Sequence, residues 1–135
     1  MSRGVGGSAR MIAQDASSVI YEYGPYNLNR EQYRNPDRIY DGVITVSKSA
    51  LVEPEIHERI KKWPSGRKQL IIKRIPRDVD YNACFEAGLI TVENSRFCWH
   101  ILPEGVGAIA LHLVFQIFTE YQETGELPET VGYHI

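Results

Sequence analysis

The sequence predicts an α+β fold: a mainly antiparallel sheet of about five strands, packed against a long C-terminal helix and two shorter helices. Three observations predict it. An apolar stripe of helical period runs from Val106 to Glu123. Short segments rich in β-branched and aromatic residues recur through the first two thirds, each bounded by Gly, Pro, Asp or Asn. The two kinds of segment follow the order β, β, α, β, α, β, β, α, without the regular alternation that a parallel sheet needs.

Residues 1–10 (MSRGVGGSAR) are rich in Gly and Ser and read as a flexible leader, with Met11 as a plausible start. The domain is then expected over residues 11–135. Ser18 to Tyr23 (SVIYEY) reads as a first strand, ended by Gly24-Pro25. Tyr26 to Tyr40 is polar, with a turn signal at Asn35-Pro36-Asp37. Asp41 to Ser47 opens on an Asp-Gly pair and becomes a second strand, with Val43, Ile44 and Val46 as its apolar content.

Pro54 to Trp63 reads as the first helix. Pro54 suits a first helical position, and Glu55→Arg59 and Glu58→Lys62 are i,i+4 pairs in the favourable order. Ile56, Ile60 and Trp63 would then face inward. Pro64-Ser65-Gly66 stops the helix, and Gln69 to Ile75 is the third strand. Asp80 is placed to cap a short helix through Ala87, with Gly88 as its left-handed terminator. Leu89 to Glu93 and Phe97 to Leu102 read as two further strands, joined through Asn94-Ser95-Arg96.

In the last helix Val106, Ile109, Ala110, Leu113, Val114, Ile117, Phe118 and Tyr121 follow the i, i+3, i+4, i+7 spacing. His112, Gln116, Glu120 and Glu123 form the polar strip, and Gly125 and Pro128 end the helix.

A chain of 135 residues is the size of one domain and can bury a core without staples. With 43% hydrophobic and 24% charged residues, disorder is not the expected state. No apolar run is long enough to span a bilayer, and Met1 to Arg10 lacks the apolar segment of a signal peptide. Only Cys84 and Cys98 are present, so no disulfide framework is expected. The expectation is a cytoplasmic protein, without a membrane partner.

The net charge of −2 hides an asymmetry. Lys61 to Arg77 holds seven basic residues and no acid, whereas Glu104 to Ile135 holds five acids and no Lys or Arg. Such a split bears on partners and association.

Three candidate sites follow. In the basic stretch, Trp63, Arg67, Lys68, Lys73, Arg74 and Arg77 are candidate binding residues for phosphate or nucleic acid, with Trp63 able to stack on a base. Against that, the turn lacks the full phosphate-loop pattern, and a helix end followed by an amphipathic strand also explains the charges. In Cys98-Trp99-His100, a strand would put the thiol and the imidazole on one face, the skeleton of a cysteine nucleophile or half of a zinc site. A thiol in an apolar strand is also an ordinary small hydrophobe, and neither metal nor cofactor is expected. Last, tyrosines crowd the first third, interleaved with Arg30, Arg34 and Arg38, which makes Tyr26 and Tyr33 candidates for a protein interface. Packing of strand tyrosines on the core is the plainer alternative.

The function expected from these features is a small intracellular binding or accessory module acting through protein contacts, self-association included. The alternatives are a binder of nucleic acid or a phosphate ligand through residues 61–77, and a small enzyme using Cys98 and His100.

Overall fold

The structure is a computed structural model that describes residues 3–135. The chain runs β1 (Val5–Gln14), β2 (Ser18–Asn27), β3 (Gly42–Ser47), β4 (Glu55–Lys62), β5 (Lys68–Ile75), α1 (Tyr81–Glu86), β6 (Ile90–Glu93), α2 (Ala108–Thr124) and β7 (Thr130–His134). Five strands form one antiparallel sheet in the order β6-β3-β2-β1-β7, and β4 and β5 form a separate two-stranded sheet. The fold is therefore α+β, with one long helix and one short one.

The period-2 pattern of the central strands builds the core. On β2, Val19, Tyr21 and Tyr23 point to one face and are fully buried. On β3, Ile44 and Val46 do the same, and on β6, Ile90. Helix α2 lies over β7, β1 and β2 on that face. Its stripe of Ile109, Ala110, Leu113, Val114, Ile117 and Phe118 closes the core, as its spacing requires. The two buried phenols keep their hydroxyls satisfied. Tyr21 donates to the Pro128 carbonyl at 2.6 Å, and Tyr23 accepts from the Ser95 amide at 3.1 Å.

The flexible leader is corrected. Val5 to Arg10 belongs to β1, which pairs with β2 on one side and β7 on the other. Here glycine answers a demand for space. A Cβ on Gly7 would stand 2.8 Å from the Ile109 side chain of α2, so only glycine lets the helix lie this close. Val5 and Ala9 are buried. Met1 and Ser2, the start of that leader, lie outside the described residues.

The first helix is also corrected: Glu55–Lys62 is strand β4, paired along its length with β5. A spacing of four residues satisfies both periods. Ile56 and Ile60 share a face on a helix and on a strand alike. What decides is β5, whose backbone needs a partner that a helix cannot supply. The turn between them closes through Trp63 N–H to the Arg67 carbonyl at 2.8 Å and Gly66 N–H to the Trp63 carbonyl at 2.9 Å.

The short helix stands where it was expected. Asp80 accepts from the Ala83 amide at 3.1 Å as its N-cap. The strand expected over Phe97 to Leu102 does not form, because only Ile101 bridges, to Gly107. The Asn94 side chain instead accepts from Gly107 N–H at 2.9 Å and donates to the Gly105 carbonyl at 2.7 Å. That pins the loop that leads into α2, whose first turn has no cap of its own. Among the described residues, no helix is long and apolar enough to cross a membrane.

Candidate functional site

Strands β4 and β5 have eight residues each, so the hairpin is about 27 Å long at 3.4 Å per residue. None of these residues is buried. Register sorts its side chains into two faces. Ile60 stands opposite Leu70, Ile56 opposite Arg74 and Glu58 opposite Ile72. One face therefore carries four aliphatic side chains, with Ile56 50%, Ile60 65%, Leu70 56% and Ile72 55% exposed. Lys62, Lys68 and Arg74 share that face with a single acid, Glu58.

The second face carries Glu55, His57, Arg59 and Lys61 from β4 and Gln69, Ile71, Lys73 and Ile75 from β5, with His57 hydrogen-bonded to Glu55 at 2.7 Å. Near its tip the Lys61 ammonium sits 4.2 Å above the Trp63 ring, and the Arg67 guanidinium 5.9 Å from it. The cations are thus held against an aromatic face rather than against acids. The acidic residues near the C-terminus do not neutralise them. Among the described residues, no ion pair joins Lys61–Arg77 to Glu104, Glu120, Glu123, Glu126 or Glu129.

The base of the hairpin is tied to the end of α2. The buried Gln122 amide accepts from Arg77 N–H at 2.7 Å and donates to the Arg77 carbonyl at 2.9 Å. The Arg74 guanidinium donates to the Gln122 carbonyl at 3.3 Å, where a cation complements the helix C-terminus. Tyr121 donates to the Glu53 carboxylate just before the hairpin.

The expected binding residues therefore separate. Trp63, Arg67 and Lys68 meet at the tip, and Lys73 lies along the second face. Arg74 and Arg77 serve the base, Arg77 through its backbone. Tyr26 is on β2, and Tyr33 is in a 3-10 turn at Glu31–Tyr33; neither belongs to the hairpin. The four exposed aliphatics were missed. A helix over Pro54 to Trp63 turns Ile56 and Ile60 inward, and no sequence signal marks a strand face as unpartnered.

Cys98 and His100 are not brought together as a nucleophile and base. With no strand at this point, the Cys98 thiol donates to the His100 carbonyl at 3.5 Å instead of meeting the imidazole. Burial pushes the Cys98 thiol up from its ordinary value, away from thiolate. The Cys84 thiol is raised by burial too. Among the described residues, no group of three or more His, Cys, Asp and Glu side chains is placed to hold a metal.

No protein-family model, no curated protein and no solved structure matches the chain. The functional reading accordingly rests on the geometry of the molecule.

Proposed function

We propose that the chain is a binding module whose contact element is the β4–β5 hairpin, and that its partner is a protein presenting an apolar strip bordered by carboxylates. One observation carries this reading: the exposed aliphatic face of Ile56, Ile60, Leu70 and Ile72 on an arm tied at its base to α2. Contiguous exposed apolar surface marks interaction sites. Two-stranded sheets are marginal alone in water, so a partner would stabilise this one.

Charge selects among occupants. Lys62, Lys68 and Arg74 border the aliphatic face, so two copies of the hairpin face to face would oppose like charges. An acidic partner would instead be steered to it. Size sharpens the reading. Two strands about 4.8 Å apart and about 27 Å long present a flat face of roughly 260 Å². A standard interface buries about 800 Å² per partner, so contact with one face is too little. A partner that also adds a strand to a free hairpin edge gains backbone hydrogen bonds as well as area.

A second reading rests on a different observation, the basic second face with Trp63 at its end. A two-stranded ribbon of this kind fits the major groove of a duplex.

The test places a photo-crosslinking residue at position 72 in the source cells and identifies the protein captured. That protein is then purified and its affinity measured for the native chain and for Ile60→Thr/Leu70→Thr, which replaces the apolar side chains with polar ones that still suit a strand. The expected result is a loss of about tenfold or more, as for removal of central apolar anchors. Equal affinity for both chains would defeat the protein reading. If instead a mixed-sequence duplex binds with steep salt dependence, and Arg59→Gln/Lys73→Gln abolishes it, the nucleic-acid reading takes its place.

A further inference from the structure

The sheet face opposite α2 holds a cavity that the hairpin reading does not use. Its volume is about 300 Å³, and Ser8, Tyr26, Arg34, Arg38, Tyr40 and His134 line it. It lies where the loop after β2 folds back over the strands. Gly24 makes that possible, because a Cβ there would collide with the Ile39 carbonyl and the Tyr40 ring. The rings form the walls. Tyr26 stacks on His134 with centroids 5.8 Å apart, and its hydroxyl meets His134 Nδ1 at 2.7 Å. Tyr40 is hydrogen-bonded to the Ser8 hydroxyl.

The loop is held in a strained shape. Asn35 and Arg38 both have positive φ, 45° and 52°. Asparagine tolerates that region, but arginine gains nothing from it. The buried Asn35 side chain enforces the bend. It donates to the Pro25 carbonyl at 3.2 Å and the Ile39 carbonyl at 3.0 Å, and it accepts from Ile39 N–H at 2.8 Å. A strained residue that its surroundings over-determine is a mark of function. Arg38, held at this positive φ, lines the cavity together with Arg34.

Electrostatics define what the cavity takes. Two arginines line it and no carboxylate does. Of the acids nearby, Glu22 is paired with Arg10, and Glu31 and Asp37 lie on the loop outside the lining. Arg34 spends its Nε on the Leu28 carbonyl at 3.3 Å, which leaves its terminal nitrogens. Arg38 has no acid partner among the described residues. Two arginines lining one cavity suit a doubly charged tetrahedral anion better than a single carboxylate. The aromatic lining of Tyr26, Tyr40 and His134 suits a ring attached to it.

The geometry points to a binding site for a small phosphate monoester that carries a planar ring. The site is independent of the hairpin and of any partner there. The test is a nuclear magnetic resonance titration of the full chain, following the amides of Tyr26, Arg38 and His134. The probes are phenyl phosphate, benzoate, inorganic phosphate and phenol. Phenyl phosphate is expected to shift these amides saturably, with benzoate and inorganic phosphate weaker and phenol silent. Arg34→Gln/Arg38→Gln, checked for an unchanged melting temperature, is expected to weaken phenyl phosphate by about tenfold or more, because charge-assisted hydrogen bonds are lost. Absence of saturable shifts, or equal affinity in the double variant, overturns the site. Benzoate binding as tightly as phenyl phosphate overturns the phosphate, and inorganic phosphate doing so overturns the ring. Should the double variant unfold, Arg38→Gly supplies the same readout with the backbone strain relieved.

Discussion

The five-stranded sheet and the β4–β5 hairpin are made of similar residues and held by different forces. In the sheet and the helix packed on it, Tyr21, Ile44, Val46 and Leu113 have no exposed surface at all. In the hairpin, Ile56, Ile60, Leu70 and Ile72 are half exposed or more. One region is held by burial, the other by a ladder of backbone hydrogen bonds and a few contacts at its base. The comparison teaches that an aliphatic strand need not belong to the core of its own chain. The hairpin adds little to the stability of the domain, and its surface is available for other work.

Four experiments break or sharpen that contrast. The largest effect is expected from deleting residues 1–10, which removes the first half of a strand flanked on both sides. Lost with it are the buried Val5 and Ala9 and the pairing that holds β7. Circular dichroism should then show no cooperative melt, whereas a normal melt would show that β1 is dispensable.

Next is Leu113→Ala in the middle of α2. Truncating a buried leucine costs about 2–5 kcal/mol. The matched substitution on the hairpin, Leu70→Ala, should stay within about 0.5 kcal/mol, as surface changes do. Comparable losses in two urea titrations would erase the distinction between the regions.

Smaller, and dependent on pH, is the contribution of the buried tyrosines. Burial pushes the Tyr23 phenol up to about 12, and burial raises Tyr21 as well. The folded state thus prefers both phenols protonated. Their contribution is complete below about pH 10, where an unfolded tyrosine titrates, and it is lost as pH rises through 12. Tyr23→Phe should cost about 1–3 kcal/mol at neutral pH by stranding the Ser95 amide, and it should flatten the alkaline loss. An alkaline profile identical to the native one would separate Tyr23 from that loss.

The smallest effect is expected from Arg38→Gly. Glycine accepts positive φ freely, so relief of the strain should stabilise the chain by about 1 kcal/mol. A drop in melting temperature would mean that the arginine side chain stabilises the loop.

Much of the sheet and its long helix was legible in the sequence. The stripe from Ile109 to Phe118 has one reading, because its run is too long for a strand and its period is helical. Asp80 and its helix were legible for a local reason, a side-chain cap within hydrogen-bond reach. β1 was hidden because the contacts that require Gly6 and Gly7 come from residues more than one hundred positions away, Ile109 and Tyr133. β7 was hidden because five residues make too short an alternation to stand out. β4 was hidden by its four-residue spacing, which fits either period. The same ambiguity hid the exposed face, since helical periodicity turns Ile56 and Ile60 inward. The basic tip of Trp63, Arg67 and Lys68 was legible as charge, but the aliphatic face beside it forms only where strand pairing puts Ile56, Ile60, Leu70 and Ile72 on one side. The cavity under Tyr26 depends on a loop folding over Gly24, which no local pattern reveals.

The most direct measurement is amide hydrogen exchange across β4 and β5, in the free chain and in complex with the captured partner. In the free chain the hairpin amides should exchange far faster than those of β2 and β3, because few buried contacts hold them. In the complex they should become protected, most of all along one edge, where a partner strand would add its hydrogen bonds. A partner that binds tightly while β4 and β5 exchange as before would contradict the account and place the interface elsewhere on the molecule.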